Sequence, residues 1–120
     1  MARTAVTVTD LTAATSTADP AGTTADPTNG HTVTGVRPEV LTFRVKNTTA
    51  GSLNAIVRAG TQPLAPSSGQ GDLTVAVGAG ATVWIGPLES ARFLQNDGSL
   101  SLDLGTGFTG TVSAFRTNRR

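Results

Sequence analysis

Gly105, Gly107 and Gly110 stand in the G-x-G-x-x-G spacing that, in a strand–loop–helix unit, cradles the pyrophosphate of a dinucleotide. That chemistry needs a helix to leave the loop, so that its first amides face the phosphates. The residues that leave this loop alternate instead, with Val112 and Ala114 on one side and Thr111, Ser113 and Phe115 on the other. The glycines therefore read as a turn between two antiparallel strands, and no cofactor is expected.

Acid–base and nucleophilic chemistry fares no better. His31 is the single histidine and follows Gly30, which marks a turn or strand start rather than a general base. Hydroxyl groups are plentiful, but no nucleophile elbow presents one, and a Ser-His-Asp triad is defined by geometry alone. Asp19 and Asp26 each precede a proline, Pro20 and Pro27, in the manner of turn initiators. Asp97 and Asp103 lie in no loop that gathers oxygen ligands, and with cysteine absent there are no thiolates, so no metal site is expected. Glu89 and Arg92 are three residues apart, a spacing for a local ion pair. The reading is of a protein that is not an enzyme and has no small-molecule substrate.

The elements that would position any site are strands. Thr, Gly, Val and Ala dominate, Lys46 is the only lysine and tyrosine is missing, so the usual vocabulary of helix surfaces is nearly absent. Residues 5–9 form a first strand with Val6 and Val8 inward. Residues 12–30 repeat Thr-Ala-Asp-Pro and bury little, reading either as a flexible linker or as an extended arm ordered against a neighbour.

Leu41, Phe43 and Val45 alternate with polar residues, and after the loop NTTAGS the alternation resumes at residues 53–59, which predicts a hairpin. Asn47-Thr48-Thr49 matches a glycosylation acceptor, but with no secretory leader in MARTAVTVTDLTAA a turn is its expected role. Residues 73–77 and 83–85 predict a second hairpin around GAGA. Residues 87–95 carry the one helical turn, with Pro87 at its first position. Asn96-Asp97-Gly98 turns into the strand 99–104, which pairs with 111–115.

The fold expected is all-β: a single-domain β-sandwich of jelly-roll type, with about eight short antiparallel strands and a barrel as the alternative. Residues 1–30 form an extended N-terminal arm and 31–120 the sandwich domain. The expected core includes Leu41, Phe43, Val45, Val57, Leu73, Val75, Val77, Val83, Ile85, Phe93, Leu100, Leu102, Val112 and Ala114. Trp84, in an apolar strand context, is expected to pack in the core or an interface.

Charge excludes further classes. With 14% charged residues and a net charge of +1, the chain lacks the basic stripe of a nucleic-acid binder. Arg116, Arg119 and Arg120 make a small basic end without interleaved aromatics, a solvated or partner-facing tail. No apolar run approaches the ~20 residues of a membrane span.

The order of the segments LTFRVKNTTAGSLNAIVRAG, GDLTVAVGAGATVWIGPLESARFLQNDGSLSLDL and TGTVSAF resembles small β-sandwich proteins encoded among the virion genes of tailed bacteriophages and prophages, particularly of actinobacteria. The residues that carry the resemblance are 72–75, 79–82 and 85–88, with Arg92, Phe93, Asp97, Gly98 and Leu100, and it covers most of the chain from about Asp26 onward. It implies a capsid decoration, or cement, protein on the outer surface of the phage head, made in the bacterial cytoplasm. Such a protein binds the major capsid protein, stabilises the capsid and forms a homo-oligomer, often a trimer. The alternative is a tail or baseplate adhesin for host carbohydrate. Residues expected to meet partners are Val6, Val8, Asp19, Pro20, Asp26, Pro27, Trp84, Arg116, Arg119 and Arg120.

Overall fold

Residues 3–12, 16, 18–60, 68–95 and 98–118 are described by the computed structural model, and nearly all of them lie in strands or loops. The strands are β1 (Thr4–Ala5), β2 (Val8–Thr12), β3 (Thr23–Thr24), β4 (His31–Val33), β5 (Leu41–Asn47), β6 (Leu53–Val57), β7 (Leu73–Val77), β8 (Thr82–Ile85), β9 (Leu100–Leu104) and β10 (Gly110–Asn118). One helical turn, α1 (Ser90–Phe93), and two 3-10 turns at Pro38–Val40 and Ser68–Gln70 interrupt them. No helix is long and apolar enough to cross a membrane.

The strands form two sheets, ordered β1-β4-β9-β6-β7 and β2-β10-β5-β8, with β3 also pairing β10. Period-two alternation turns one side of each strand inward, and the two inner sides meet in one apolar cluster. From the first sheet come Val57, Val77, Leu100 and Leu102, and from the second Leu41, Phe43, Val45, Val112 and Ala114. Most of the expected core is buried, while Leu73, Val75 and Val83 are half-buried against it. Val33, Val36, Leu88 and Phe108 join it from segments with no clear alternation. The result is a slab of 39 × 38 × 23 Å.

All three expected hairpins are instead crossings between sheets. β5 and β6 lie in different sheets, as do β7 and β8, and β9 and β10. Asn47 supplies the physical reason for the first. Its side chain is fully buried, donating from Nδ2 to the carbonyls of Gly51 and Val77 at 3.0 Å each and accepting the Thr49 amide on Oδ1 at 2.8 Å. These bonds bend residues 48–52 across the end of the slab toward β7. The neighbouring loop is tied in by Thr48 N–H to the Thr109 carbonyl at 2.9 Å and by Thr109 N–H to Thr49 Oγ1 at 3.0 Å. Gly110, at φ 138°, sits where a side chain would run into the Lys46 carbonyl, so the G-x-G-x-x-G segment serves a close backbone approach at a crossing.

The hairpin that does form joins β6 to β7 through the long segment 58–72. Outward from it, β5 pairs β8, β4 pairs β9 and β3 pairs β10, all antiparallel. The helical turn begins at Ser90, not at Pro87, which follows a cis peptide bond outside any helix or strand.

Residues 4–12 pair into both sheets. The single strand predicted at 5–9 is broken, because the chain changes sheets between Ala5 and Val8: β1 pairs β4 and β2 pairs β10, both in parallel. Val6, at the change, is buried in the core and Val8 packs against it. The sheets thus take in residues on both sides of the boundary expected at 30. Of the turn expected at 96–98, Asn96 and Asp97 lie outside the described residues.

Candidate functional site on the outer face of the second sheet

Outward positions follow from register. In the second sheet Arg44 of β5 lies opposite Trp84 of β8 and Ser113 of β10, and Lys46 lies opposite Thr82 and Thr111. Inward neighbours Val83 and Ile85 leave Trp84 no choice but the outer face, where it is 60% exposed. Of the two places expected for Trp84, core or interface, this excludes the core, and the phase of TVWI already contained the signal.

Trp84 does not stand alone. Its ring centroid is 5.3 Å from that of Phe115, with 36° between planes. The Arg44 guanidinium lies 5.8 Å from the Trp84 centroid and 5.4 Å from that of Phe115, within cation–π range. Arg44 is fixed in turn by an ion pair to Asp19, a hydrogen bond to the Pro20 carbonyl at 2.9 Å and one to Ser113 Oγ at 3.0 Å. The aromatic pair is thereby fastened to residues 19–20, which are distant in sequence. Beside it, Asp19, Pro20, Arg44, Lys46, Thr82 and Thr111 line a groove of about 490 Å³. Sequence reasoning named Asp19, Pro20 and Trp84 but missed Arg44, which brings them together, and Phe115.

The remaining expected residues are dispersed. Asp26 opens a turn: its carboxylate accepts the Asn29 amide at 3.1 Å and the Thr4 hydroxyl at 2.5 Å, bonds that hold its pKa below the ordinary value. Pro27, half-buried, follows it in that turn. Arg116 donates from Nε to Asp10 at 2.6 Å, tying β10 to β2. Arg119 and Arg120 lie outside the described residues.

His31 opens β4 and is fully buried, and its Nε2 accepts the Asp26 amide at 2.9 Å. Burial pushes its pKa below the ordinary value, against the opposing pull of the Thr4 backbone and Asp26. It is a structural acceptor, not a group presented to a substrate. Among the described residues, no group of three or more His, Asp or Glu is placed to hold a metal ion.

The outer face of the first sheet is different in kind. Asp103 of β9 accepts from Arg3 and, at 2.5 Å, from Arg58 Nε. Arg58 also reaches Asp72 at 2.8 Å, and Asp72 accepts the Ala59 amide at 2.6 Å. Burial alone would raise the Asp103 pKa, yet the hydrogen bonds from the two arginines outweigh it and hold it below the ordinary value. No family model, curated protein or solved structure matches the chain.

Proposed function

We propose that the chain is a structural virion protein of the capsid decoration type, a β-sandwich of jelly-roll winding that binds the outside of a phage head as a homotrimer and stabilises contacts between major capsid proteins. The winding is supported by the pairs β6–β7, β5–β8, β4–β9 and β3–β10, one long hairpin rolled so that consecutive strands alternate between sheets, except at the β6–β7 bend. The virion assignment is supported by the resemblance carried by residues 72–100.

The observation that carries the binding mode is the seam of residues 3–12. This segment adds one parallel strand to each sheet, and its anchors are backbone bonds, Val6, and the ion pairs Arg3–Asp103 and Asp10–Arg116. A strand added from far along the chain can equally be supplied by a neighbouring copy, at the same contacts. On a lattice, such exchange links subunits, and many modest interfaces act together.

The test adds purified protein to heads that lack it, comparing the natural chain with one deleted of residues 1–12 and with Val6→Asp. The natural chain should occupy the heads and raise their resistance to heat, and both variants should attach more weakly. Equal occupancy by the variants removes the segment from the mechanism. Failure of the natural chain to bind heads, or labelling confined to the tail tip, overturns the decoration assignment.

A further inference from the structure

The groove beside Trp84 has a chemistry that neither the seam nor the fold requires. Three features define it. The first is an exposed aromatic plane at the groove's border, not in its lining. Trp84 and Leu11, at 38%, are the exposed large hydrophobic residues among those described. They sit on β8 and β2, the two ends of a four-strand order, so three strand spacings of about 4.8 Å separate them. A protein interface centres its anchors in a continuous desolvated patch, and the described residues of this face form none.

The second feature is hydrogen bonding of both senses at one end of the plane. Asp19, held in place by Arg44, offers carboxylate oxygens, with 78% of its side chain exposed, while the exposed Lys46 offers ammonium protons. The pairing of Arg44 with Asp19 neutralises these two charges and leaves Lys46 as the remaining charge in the groove lining. The third is a rim of hydroxyls: Thr82 and Thr111 flank Lys46 in the next outward row, about 7 Å along the strands from Arg44. Each hydroxyl both donates and accepts.

We infer that this groove binds a pyranose sugar of a surface glycan, with the apolar C–H face of the ring against Trp84 at the groove's border and its hydroxyls shared among Asp19, Lys46 and Thr82, while Arg44 positions Asp19 and the indole. A sugar ring is itself amphipathic in this way, apolar across its face and rich in donor–acceptor hydroxyls around its edge. An aromatic side chain with polar groups at its border is its complement. The 490 Å³ groove lies within the usual range of small-ligand sites, about 300–1,000 Å³. Phe115 and Arg44 hold the indole in place before the ligand arrives, which limits the entropy lost on binding. The inference is independent of where on a virion the protein sits.

Trp84 is the only tryptophan, so its fluorescence reports the site directly. The full chain is titrated with cellotetraose, mannotetraose and galactotetraose, each to about 10 mM, a range that captures weak single-site affinities. At least one should give a saturable shift in Trp84 emission. By calorimetry, Trp84→Ala should abolish that binding, and Arg44→Met and Asp19→Asn should each weaken it about fivefold to tenfold. Asp72→Asn, on the opposite face, should leave it unchanged. All variants are checked for the native circular dichroism spectrum. The inference is overturned by the absence of a saturable response to all three sugars, or by undiminished binding in natively folded Trp84→Ala. It is equally overturned if Trp84→Ala loses attachment to heads while the natural chain binds none of the sugars, which would make the groove a protein contact.

Discussion

On the outer face of the first sheet, Arg3, Arg58, Asp72 and Asp103 form a chain in which two cations and two anions satisfy one another. On the outer face of the second, Arg44 is paired with Asp19 and stacked on two rings, while Trp84 stays largely in water and Lys46 makes no ion pair among the described residues. Both faces come from the same alternation of strands, so the difference does not lie in the backbone. It lies in whether the outward side chains find partners within their own face. A self-satisfied face gains little from a ligand, because any new hydrogen bond must displace one already made. A face that leaves an aromatic plane and donor–acceptor groups in solvent gains from every contact.

The strongest test of the comparison breaks it altogether, because it removes what assigns strands to faces. Asn47→Leu deletes four hydrogen bonds at a fully buried position and leaves the Thr49 amide and the carbonyls of Gly51, Val77 and Gly78 without that partner. The expected loss is about 2–4 kcal/mol, within the range for breaking a buried polar network. Urea unfolding at neutral pH reads it as a lower midpoint with an unchanged slope. A loss under about 0.5 kcal/mol would mean that the crossing does not depend on Asn47.

Asn47 also shows where the sequence stops being readable. Alternation at 41–47 told which side chains face inward, and the structure agrees at Leu41, Phe43 and Val45. NTTAGS told only that the chain reverses. A hairpin turn and a crossing both need Asn, Thr and Gly, and what separates them is the reach of Asn47 to Val77, thirty residues away. The same limit hid the groove: the phase of TVWI exposed Trp84, but nothing near Asp19 in sequence announced Arg44. The strand at 5–9 failed for another reason. Val6 and Val8 are both apolar and two apart, yet they serve different sheets, a change of direction that period two cannot encode.

A smaller effect sharpens the first face. Asp103→Ala leaves Arg3 and Arg58 facing each other without their shared acceptor, and about 1–2 kcal/mol should be lost, in line with removal of one partner from a half-buried charged network. Because the folded-state pKa of Asp103 is lowered, its contribution is present above the ordinary value of 3.8 and is lost as pH falls through the folded value. The natural chain should therefore lose stability on acidification below pH 4 more steeply than Asp103→Ala. Parallel curves would show that the ladder adds nothing.

A second pH window belongs to neither face. His31 has its pKa lowered by burial, so the unfolded chain binds a proton that the folded chain refuses. Its contribution is complete above the ordinary value of 6.5 and is lost as pH falls below it. Protonation would turn Nε2 from acceptor to donor against the Asp26 amide, so the β1–β4 seam should loosen first. Protection factors, which take out the intrinsic pH dependence of exchange, should fall between pH 7 and pH 5 more at Thr4 and Val6, whose amides bond to Gly30 and Thr32, than at the β5–β10 pairs. A uniform loss of protection, or none, would remove His31 from the account.

The smallest expected effect on stability is the most informative about the second face. Trp84→Ala removes the largest side chain in the protein, yet 60% of that side chain's residue already lies in solvent. What remains to lose is the ring contact with Phe115 and the cation–π contact with Arg44, each worth on the order of 1 kcal/mol at most in an exposed setting. Arg44 keeps Asp19, Pro20 and Ser113 as partners, so no charge is stranded. The midpoint of thermal unfolding should fall by less than the shift seen for Asp103→Ala, although the deleted side chain is more than twice the size. A core residue of comparable bulk sets the scale: Phe43→Ala, at a fully buried position, should cost about 3–5 kcal/mol. If Trp84→Ala approaches the Phe43→Ala value, then Trp84 is a structural clamp on Phe115, and the second face, like the first, is occupied with holding itself together. If it stays small, the exposed ring contributes little to stability, and a binding role accounts for its place on the surface.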